Sequence, residues 1–157
     1  MAKSVILPGS YDPVTVGHLD IIRRAAESFD EVYVVAFVNP KKKYRFSVEE
    51  RVKMLILATD DLDNVIVSYS DGLVIDYMRD HGIERIVKGY RSEDDLPWER
   101  EQAEWNLKHG GYETELWKCR SGFEDISSTA VRCALDEEKS ITELVPESVA
   151  EYIESLR

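Results

Sequence analysis

The chain has 157 residues, of which 43% are hydrophobic, so it is long enough and apolar enough to bury a core. Its 20 Lys and Arg against 31 Asp and Glu give a formal net charge of −11, which argues against a general nucleic-acid-binding protein. No apolar run approaches the roughly 20 residues that a membrane-spanning helix needs, so we expect no membrane partner.

Cysteine usage and the first residues bear on the compartment. Cys119 and Cys133 form no CxxC pair and no zinc-binding spacing with the three histidines, so free thiols in a reducing compartment are expected. Met1-Ala2-Lys3-Ser4 runs straight into a strand-length apolar segment, without the features of a signal peptide. We therefore expect a soluble, cytoplasmic protein with a single domain over residues 1–157.

Strand-like and helix-like segments alternate along the chain. Runs of β-branched and aromatic residues predict buried strands, and amphipathic segments predict helices. Ser47-Val48-Glu49-Glu50 is a capping box that opens a helix, and Gly82 marks a helix end. In chain order we expect strand 4–7, helix 18–29, strand 31–38, helix 47–59, strand 64–68, helix 73–81, strand 84–87, helix 97–108, strand 112–117, helix 127–137 and helix 146–156.

This alternation predicts an α/β fold, a Rossmann-like doubly wound sheet of five parallel strands with helices on both faces. Ligands of such folds bind beyond the carboxyl ends of the strands, at a switch point in strand order. The loops expected to meet there are 8–18, 39–46, 69–74, 88–95 and 118–128.

The first of these loops carries the strongest signal. Gly9-Ser10-Tyr11-Asp12-Pro13 leads through Thr15 to Gly17-His18 at the start of a helix. The N-terminus of a helix presents unpaired N–H groups and a partial positive charge, which suit a phosphate. A histidine there is well placed to contact that phosphate, although it could also serve only as a structural contact of the helix cap.

The other loops add cations and hydroxyl groups at the same edge. Residues 39–45 include three lysines and an arginine, and Lys88-Gly89-Tyr90-Arg91 follows the fourth strand. Ser127-Ser128-Thr129 opens another helix, where such residues commonly act only as caps. A lysine-rich loop is often just a solvated turn. Their conjunction nevertheless favours a polyphosphate site, while the absence of GxxxxGK[ST] excludes a P-loop enzyme.

These motifs resemble those of a known superfamily. Gly9 to His18 is similar to the first signature of the nucleotidyltransferases, in its (H/T)xGH form, and Ile126 to Thr129 with Arg132 resembles the second. Lys42, the block 88–91 and the segment 95–99 narrow the resemblance to the bacterial phosphopantetheine adenylyltransferase family. The resemblance implies transfer of the adenylyl group of ATP to 4′-phosphopantetheine, which yields dephospho-CoA and pyrophosphate, with Mg²⁺ assisting ATP and a homohexamer as the assembly.

The resemblance also implies roles for individual residues. His18 would stabilise the α-phosphate in the transition state, and Ser10 and Lys42 would complete the catalytic set. The acceptor would be bound by Ser10, Lys42 and Lys88, with Leu73 and Val74 lining its channel. ATP would be bound by Ser10, Tyr11, His18, Gly89, Tyr90, Arg91, Glu99, Phe123, Glu124, Asp125, Ile126, Ser127, Ser128 and Thr129. None of these residues is implied as a direct metal ligand.

The chain departs from the family pattern at two places. Position 88, usually Arg, is Lys, which keeps the charge and loses the bidentate fork. Leu116-Trp117-Lys118-Cys119 replaces a Tyr-Met-Pro-like stretch near the adenine. Two other functions therefore stay open: a cytidylyltransferase acting on a small alcohol phosphate, and a nucleotide-sensing module without catalysis.

Overall fold

The structure is a computed structural model that describes residues 3–156. Five strands and six helices alternate as the sequence predicts, with one short 3₁₀ turn before the fourth helix. The elements are β1 (Ser4–Gly9), α1 (Val16–Ser28), β2 (Glu31–Phe37), α2 (Val48–Ala58), β3 (Val65–Ser70), α3 (Val74–His81), β4 (Arg85–Tyr90), the 3₁₀ turn Glu93–Asp95, α4 (Leu96–Gly110), β5 (Thr114–Lys118), α5 (Ser128–Asp136) and α6 (Glu147–Ser155).

The five strands form one parallel sheet in the order β3-β2-β1-β4-β5. The chain moves outward from β1 through β2 to β3 and then crosses back to place β4 on the other side of β1. The strand order therefore reverses between β1 and β4. This confirms the expected Rossmann-like doubly wound fold, and it places the switch point beside the loops that follow β1 and β4.

Helices cover both faces of the sheet. On one face, residues of β1 and β2 such as Leu7 and Val34 form a core with α1, α2, α5 and α6. On the other face, Ile6, Val35 and Ile86 pack against Met78 of α3. Because neighbouring residues of one strand point to opposite faces and both faces are covered, the central residues of β1 and β2 are apolar on both sides. No helix of residues 3–156 has the length and apolar character needed to cross a membrane.

Local signals set several helix ends. The Ser47 side chain accepts from the Glu50 N–H and the Glu50 side chain accepts from the Ser47 N–H, which confirms the predicted capping box of α2. Gly82 ends α3 with φ at 67°, in the left-handed region where glycine pays no steric cost.

The fourth strand is longer than the sequence suggests. β4 ends at Tyr90 rather than residue 87, so Lys88, Gly89 and Tyr90 belong to the strand and not to the loop predicted over 88–95. They pair in register with residues 116–118 of β5, and this backbone pairing overrides the turn-like composition. The segment that carries Lys88 is therefore held by the sheet.

Candidate active site

A cleft of about 310 Å³ opens at the carboxyl ends of β1 and β4, between the first turns of α1 and α5. It lies at the switch point where such folds bind ligands. The cleft is lined by eleven of the residues expected in the site: Ser10, Tyr11, His18, Lys88, Gly89, Tyr90, Arg91, Phe123, Ile126, Ser127 and Ser128.

His18 is locked to the start of its own helix. The Thr15 N–H donates to His18 Nδ1 at 3.0 Å, and the His18 N–H donates to Thr15 Oγ1 at 3.2 Å. This reciprocal pair is a capping box in which a histidine takes the place of the usual Glu. Because the backbone N–H can only donate, Nδ1 must accept, and the neutral ring then carries its proton on Nε2.

The surroundings of His18 keep it neutral. Burial, with smaller contributions from the charges of Lys88 and Arg91, lowers the pKa of His18 from 6.5 to about 4. The Tyr11 ring meets the imidazole edge-on, with ring centroids 5.0 Å apart, and the Tyr11 hydroxyl donates to the Leu7 carbonyl at 2.8 Å. His18 therefore stands in the cleft wall as a fixed hydrogen-bond donor at neutral pH.

Two cations on or after β4 face the same cleft. Lys88 Nζ lies 3.7 Å from Glu99 Oε2, a carboxylate of α4 whose pKa is raised chiefly by burial. The Arg91 backbone N–H donates to the Asp95 carboxylate at 3.0 Å. The Arg91 guanidinium donates to the Glu124 carbonyl at 3.4 Å. Both cations thus contact carboxylate or carbonyl oxygens whose place a phosphate oxygen could take.

Lys42 lies outside the residues that line the cleft, on the loop after β2, and reaches toward it. Its Nζ donates to Ser10 Oγ at 3.2 Å. This contact joins the second loop to the first and places an ammonium group beside the Ser10 hydroxyl. The structure therefore brings together two of the residues that are expected to bind the acceptor.

The first turn of α5 forms the opposite wall, with its hydroxyl groups already engaged. Ser127 Oγ accepts from the Ala130 N–H and caps the helix, and Ser128 Oγ donates to the Pro13 carbonyl at 2.7 Å. Thr129 Oγ1 accepts from Arg132, and Thr129 is not part of the cleft lining. The cap role considered from the sequence accounts for Ser127, so anion binding at this wall falls to the N–H groups of the helix start.

Asp12 fixes three segments to one another. It is 3% exposed, and its carboxylate accepts the N–H groups of Arg45 and Phe46, each at 2.9 Å. Its carbonyl accepts from Arg132 of α5 at 2.7 Å. The turn after β1 therefore holds both the Lys42 loop and α5.

The remaining expected residues do not line the cleft. Val74, at the start of α3, packs against the core on the opposite face of the sheet, and its neighbour Leu73 is exposed. Glu99 contacts the site through Lys88. Glu124 contributes its carbonyl to Arg91, and Asp125 precedes the lining residue Ile126.

Comparison with known proteins places this site in a family. The cytidylyltransferase-like family model matches residues 6–134. Phosphopantetheine adenylyltransferase of Clostridium novyi is 40% identical over 152 residues, which cover 96% of this chain and 94% of that protein. The Thermobifida fusca protein of the same name is 38% identical over 96% of this chain and 92% of its own length, and that of Symbiobacterium thermophilum is 46% identical over 84% and 82%.

The chain belongs to the phosphopantetheine adenylyltransferase family. The segment 116–119, where the chain departs from the family pattern, contributes little to the lining of the cleft. Three of the four residues lie in β5, where Trp117 stacks on Phe29 with centroids 6.3 Å apart. Only Cys119 lines the cleft, with its N–H donating to the Tyr90 carbonyl at 2.8 Å and its thiol 3.7 Å from the Arg91 carbonyl.

One residue beside the site is not among the site residues expected from the sequence. Arg51 of α2 is buried, and its guanidinium donates to the Ser10 carbonyl at 2.8 Å. A signal for it exists in the sequence. Arg51 shares the i, i+3, i+4, i+7 series with Met54, Leu55 and Ala58, so an arginine occupies the helix face that faces the core.

Proposed function

We propose that this chain transfers the adenylyl group of ATP to the phosphate of 4′-phosphopantetheine, with dephospho-CoA and pyrophosphate as products. The observation that carries the proposal is His18, a neutral donor with Nδ1 already engaged, in a cleft that also holds Lys88 and Arg91. Such an arrangement suits a reaction in which negative charge moves onto phosphate oxygens. The names of the three relatives support this nucleotide and this acceptor.

The reaction needs no general base. An oxygen of the acceptor phosphate attacks the α-phosphorus of ATP, and the bond from that phosphorus to the oxygen bridging the β-phosphate breaks. The electron pair of the broken bond leaves with pyrophosphate. Because a phosphate monoester is largely dianionic at neutral pH, the nucleophile is ready as it binds. Catalysis then consists of aligning two anions and stabilising the charge of the transition state.

Each polar group of the cleft has a part in this scheme. His18 donates from Nε2 to an oxygen of the α-phosphate. Lys42 and Ser10 hold the acceptor phosphate in line, and Lys88 exchanges part of its contact with Glu99 for that phosphate. Arg91 leaves the Glu124 carbonyl for the polyphosphate, whose β- and γ-phosphates lie against the first turn of α5.

Mg²⁺ enters with the nucleotide in this proposal. Within residues 3–156 no three side chains of His, Cys, Asp or Glu are grouped to hold a metal ion. Mg²⁺ commonly keeps several waters and binds through substrate phosphates, so the phosphate oxygens of ATP supply its ligands here. When bound, the ion would neutralise charge on the departing pyrophosphate.

Pyrophosphate release tests the proposal directly. The purified chain is incubated with ATP or CTP, each with 4′-phosphopantetheine or with small alcohol phosphates, and pyrophosphate and nucleotide products are measured. We expect turnover with ATP and 4′-phosphopantetheine and formation of dephospho-CoA. Turnover only with CTP and another phosphate would establish the cytidylyltransferase alternative. Binding of ATP without turnover of any pair would establish a nucleotide-sensing module.

The proposal extends to assembly and location. α4 contains no fully buried residue, and it exposes Trp98, Trp105 and Leu107. A helix that exposes large apolar side chains supports burial against further copies, in the homohexamer that the resemblance implies. Sedimentation should then give about six times the mass of 18.1 kDa, and a monomer would contradict the hexamer. A cytoplasmic location agrees with the two free cysteines.

A further inference from the structure

Arg51 is a buried cation without a carboxylate partner. It is 1% exposed, and among residues 3–156 no Asp or Glu oxygen lies within 4.0 Å of its guanidinium. Among the same residues its Nε has no hydrogen-bond partner. Burying a guanidinium this way is costly, because the desolvation of the charge is repaid only by good local contacts. Such a group calls for an explanation beyond packing.

The contacts that Arg51 does make point toward the active site. One guanidinium nitrogen donates to the Ser10 carbonyl at 2.8 Å. The guanidinium carbon lies 3.9 Å from the centre of the Tyr44 ring, which is a stacked cation–π contact. Tyr44 is held in turn by the Asn39 N–H, which donates to its hydroxyl at 2.9 Å. Arg51 thus grips one residue of the first loop and one of the second.

Lys42 contacts the same two residues. Its ammonium donates to Ser10 Oγ at 3.2 Å and lies 5.5 Å from the centre of the Tyr44 ring. Ser10, Arg51, Tyr44 and Lys42 therefore form a closed ring of contacts. A shift of the Ser10 backbone or the Tyr44 ring would move the ammonium group, because within residues 3–156 the Lys42 side chain makes no other polar or ring contact.

We propose that Arg51 is a positioning residue that places Lys42 for the acceptor phosphate, by fixing the Ser10 carbonyl and the plane of the Tyr44 ring. This inference rests on the function proposed above. A planar guanidinium can donate within its plane and stack through its face at once, which an ammonium group cannot do.

Steady-state kinetics of Arg51→Met test the proposal. We expect the KM for 4′-phosphopantetheine to rise about tenfold, which corresponds to the loss of one well-placed charged contact. We also expect a lower kcat, and a KM for ATP within about twofold of the wild-type value. Thr59→Val is the matched control, because Thr59 is buried on the C-terminal end of the same helix and its hydroxyl donates to Leu55. The control should lower the unfolding midpoint and leave both KM values unchanged. Equal losses for both substrates in Arg51→Met would overturn the proposal.

A double-mutant cycle with Lys42→Met distinguishes positioning from a purely structural role. If Arg51 acts through Lys42, the double variant should be no worse toward 4′-phosphopantetheine than Lys42→Met alone. Effects that multiply would overturn the proposal.

Two further variants keep the inference testable if Arg51→Met fails to fold. Arg51→Lys retains the charge without the planar fork, and we expect it still to raise the acceptor KM; a wild-type value would contradict positioning by the guanidinium plane. Tyr44→Leu removes the ring that both cations contact, and its effect should likewise vanish in the Lys42→Met background. Multiplying effects would count against the ring of contacts.

The outcomes separate this inference from the function beneath it. A wild-type chain that does not turn over ATP with 4′-phosphopantetheine contradicts the proposed function. A wild-type chain that does, with multiplying effects at Arg51 and Lys42, contradicts only the role of Arg51. A crystal structure of Arg51→Met adds a readout without substrate: we expect the contact between Lys42 Nζ and Ser10 Oγ to be lost, and its retention would refute the inference.

Discussion

Replacement of His18 by Asn separates the two tasks that the structure gives this residue. The amide oxygen of Asn can accept the Thr15 N–H in place of Nδ1, so the cap of α1 keeps an acceptor. The titrating ring and its Nε2–H are removed. One variant therefore tests both the chemistry and the electrostatics of the site.

The chemical effect should be large. Removing one donor that meets developing charge in a water-poor site commonly costs about 10²–10³ in kcat. We expect His18→Asn to lose this factor in dephospho-CoA formation, while the Kd of ATP from calorimetry stays within about twofold. A kcat near the wild-type value would remove His18 from transition-state stabilisation.

The electrostatic effect has a defined sign. The pKa of His18 falls from its ordinary 6.5 in the unfolded chain to about 4 in the folded one, chiefly by burial. Between these two pH values the unfolded chain binds a proton at His18 that the folded chain does not. The contribution of His18 to the free energy of unfolding is therefore complete above pH 6.5 and is lost as the pH falls toward 4. The shift corresponds to about 3 kcal/mol.

Urea unfolding at pH 7 and pH 4 measures this difference. The other groups titrate in wild type and variant alike, so the comparison isolates the ring. On lowering the pH, the wild type should lose about 3 kcal/mol more of its free energy of unfolding than His18→Asn does. An equal loss in the two proteins would refute the account of a neutral, buried imidazole.

Three more predictions follow from the site. Lys88→Arg restores a bidentate fork and should lower the KM for 4′-phosphopantetheine severalfold without changing that for ATP, measured by initial rates. Gly89→Ala would set a Cβ 2.9 Å from Ile21 Cγ1 and should cost about 1–3 kcal/mol in urea unfolding, whereas Gly72→Ala, with its nearest contact at 3.7 Å, should cost little. Asp12→Asn keeps an acceptor oxygen for only one of the two backbone N–H groups and turns an NH2 donor toward the other. We expect about 1–3 kcal/mol lost in thermal unfolding together with a higher acceptor KM, and an unchanged KM would separate Asp12 from the Lys42 loop.

The fold could be predicted from the sequence because its helices and strands carry clear periodic patterns of apolar residues. The apolar runs of β1 and β2 and the capping box at Ser47 correspond closely to the observed elements. The end of β4 could not be predicted from the sequence, because Lys88-Gly89-Tyr90 has the composition of a turn. This segment becomes a strand only through pairing with β5. Pairing partners far apart in sequence leave no local trace.

The site was predicted in part for the same reason. Ser10 and His18 follow the end of β1, and Lys88 lies near the end of β4. A doubly wound sheet brings these strand ends together, so the order of strands and helices suffices to find them. The contact of Arg51 with Ser10 spans 41 positions of the chain and depends on how α2 packs. The hydrogen bond from Ser128 to the Pro13 carbonyl spans 115 positions. Such contacts follow from tertiary packing and not from any spacing.

The bonds from α5 to the Asp12 and Pro13 carbonyls carry a consequence for the order of events during synthesis. Strands β1 and β4, which contribute seven of the twenty residues that line the cleft, are made before residues 128–136. Until α5 docks, the turn that bears Ser10 and His18 lacks both of these anchors and the cleft lacks a wall. A nascent chain therefore completes this cleft only after residues 128–136 have been made and have packed against the turn.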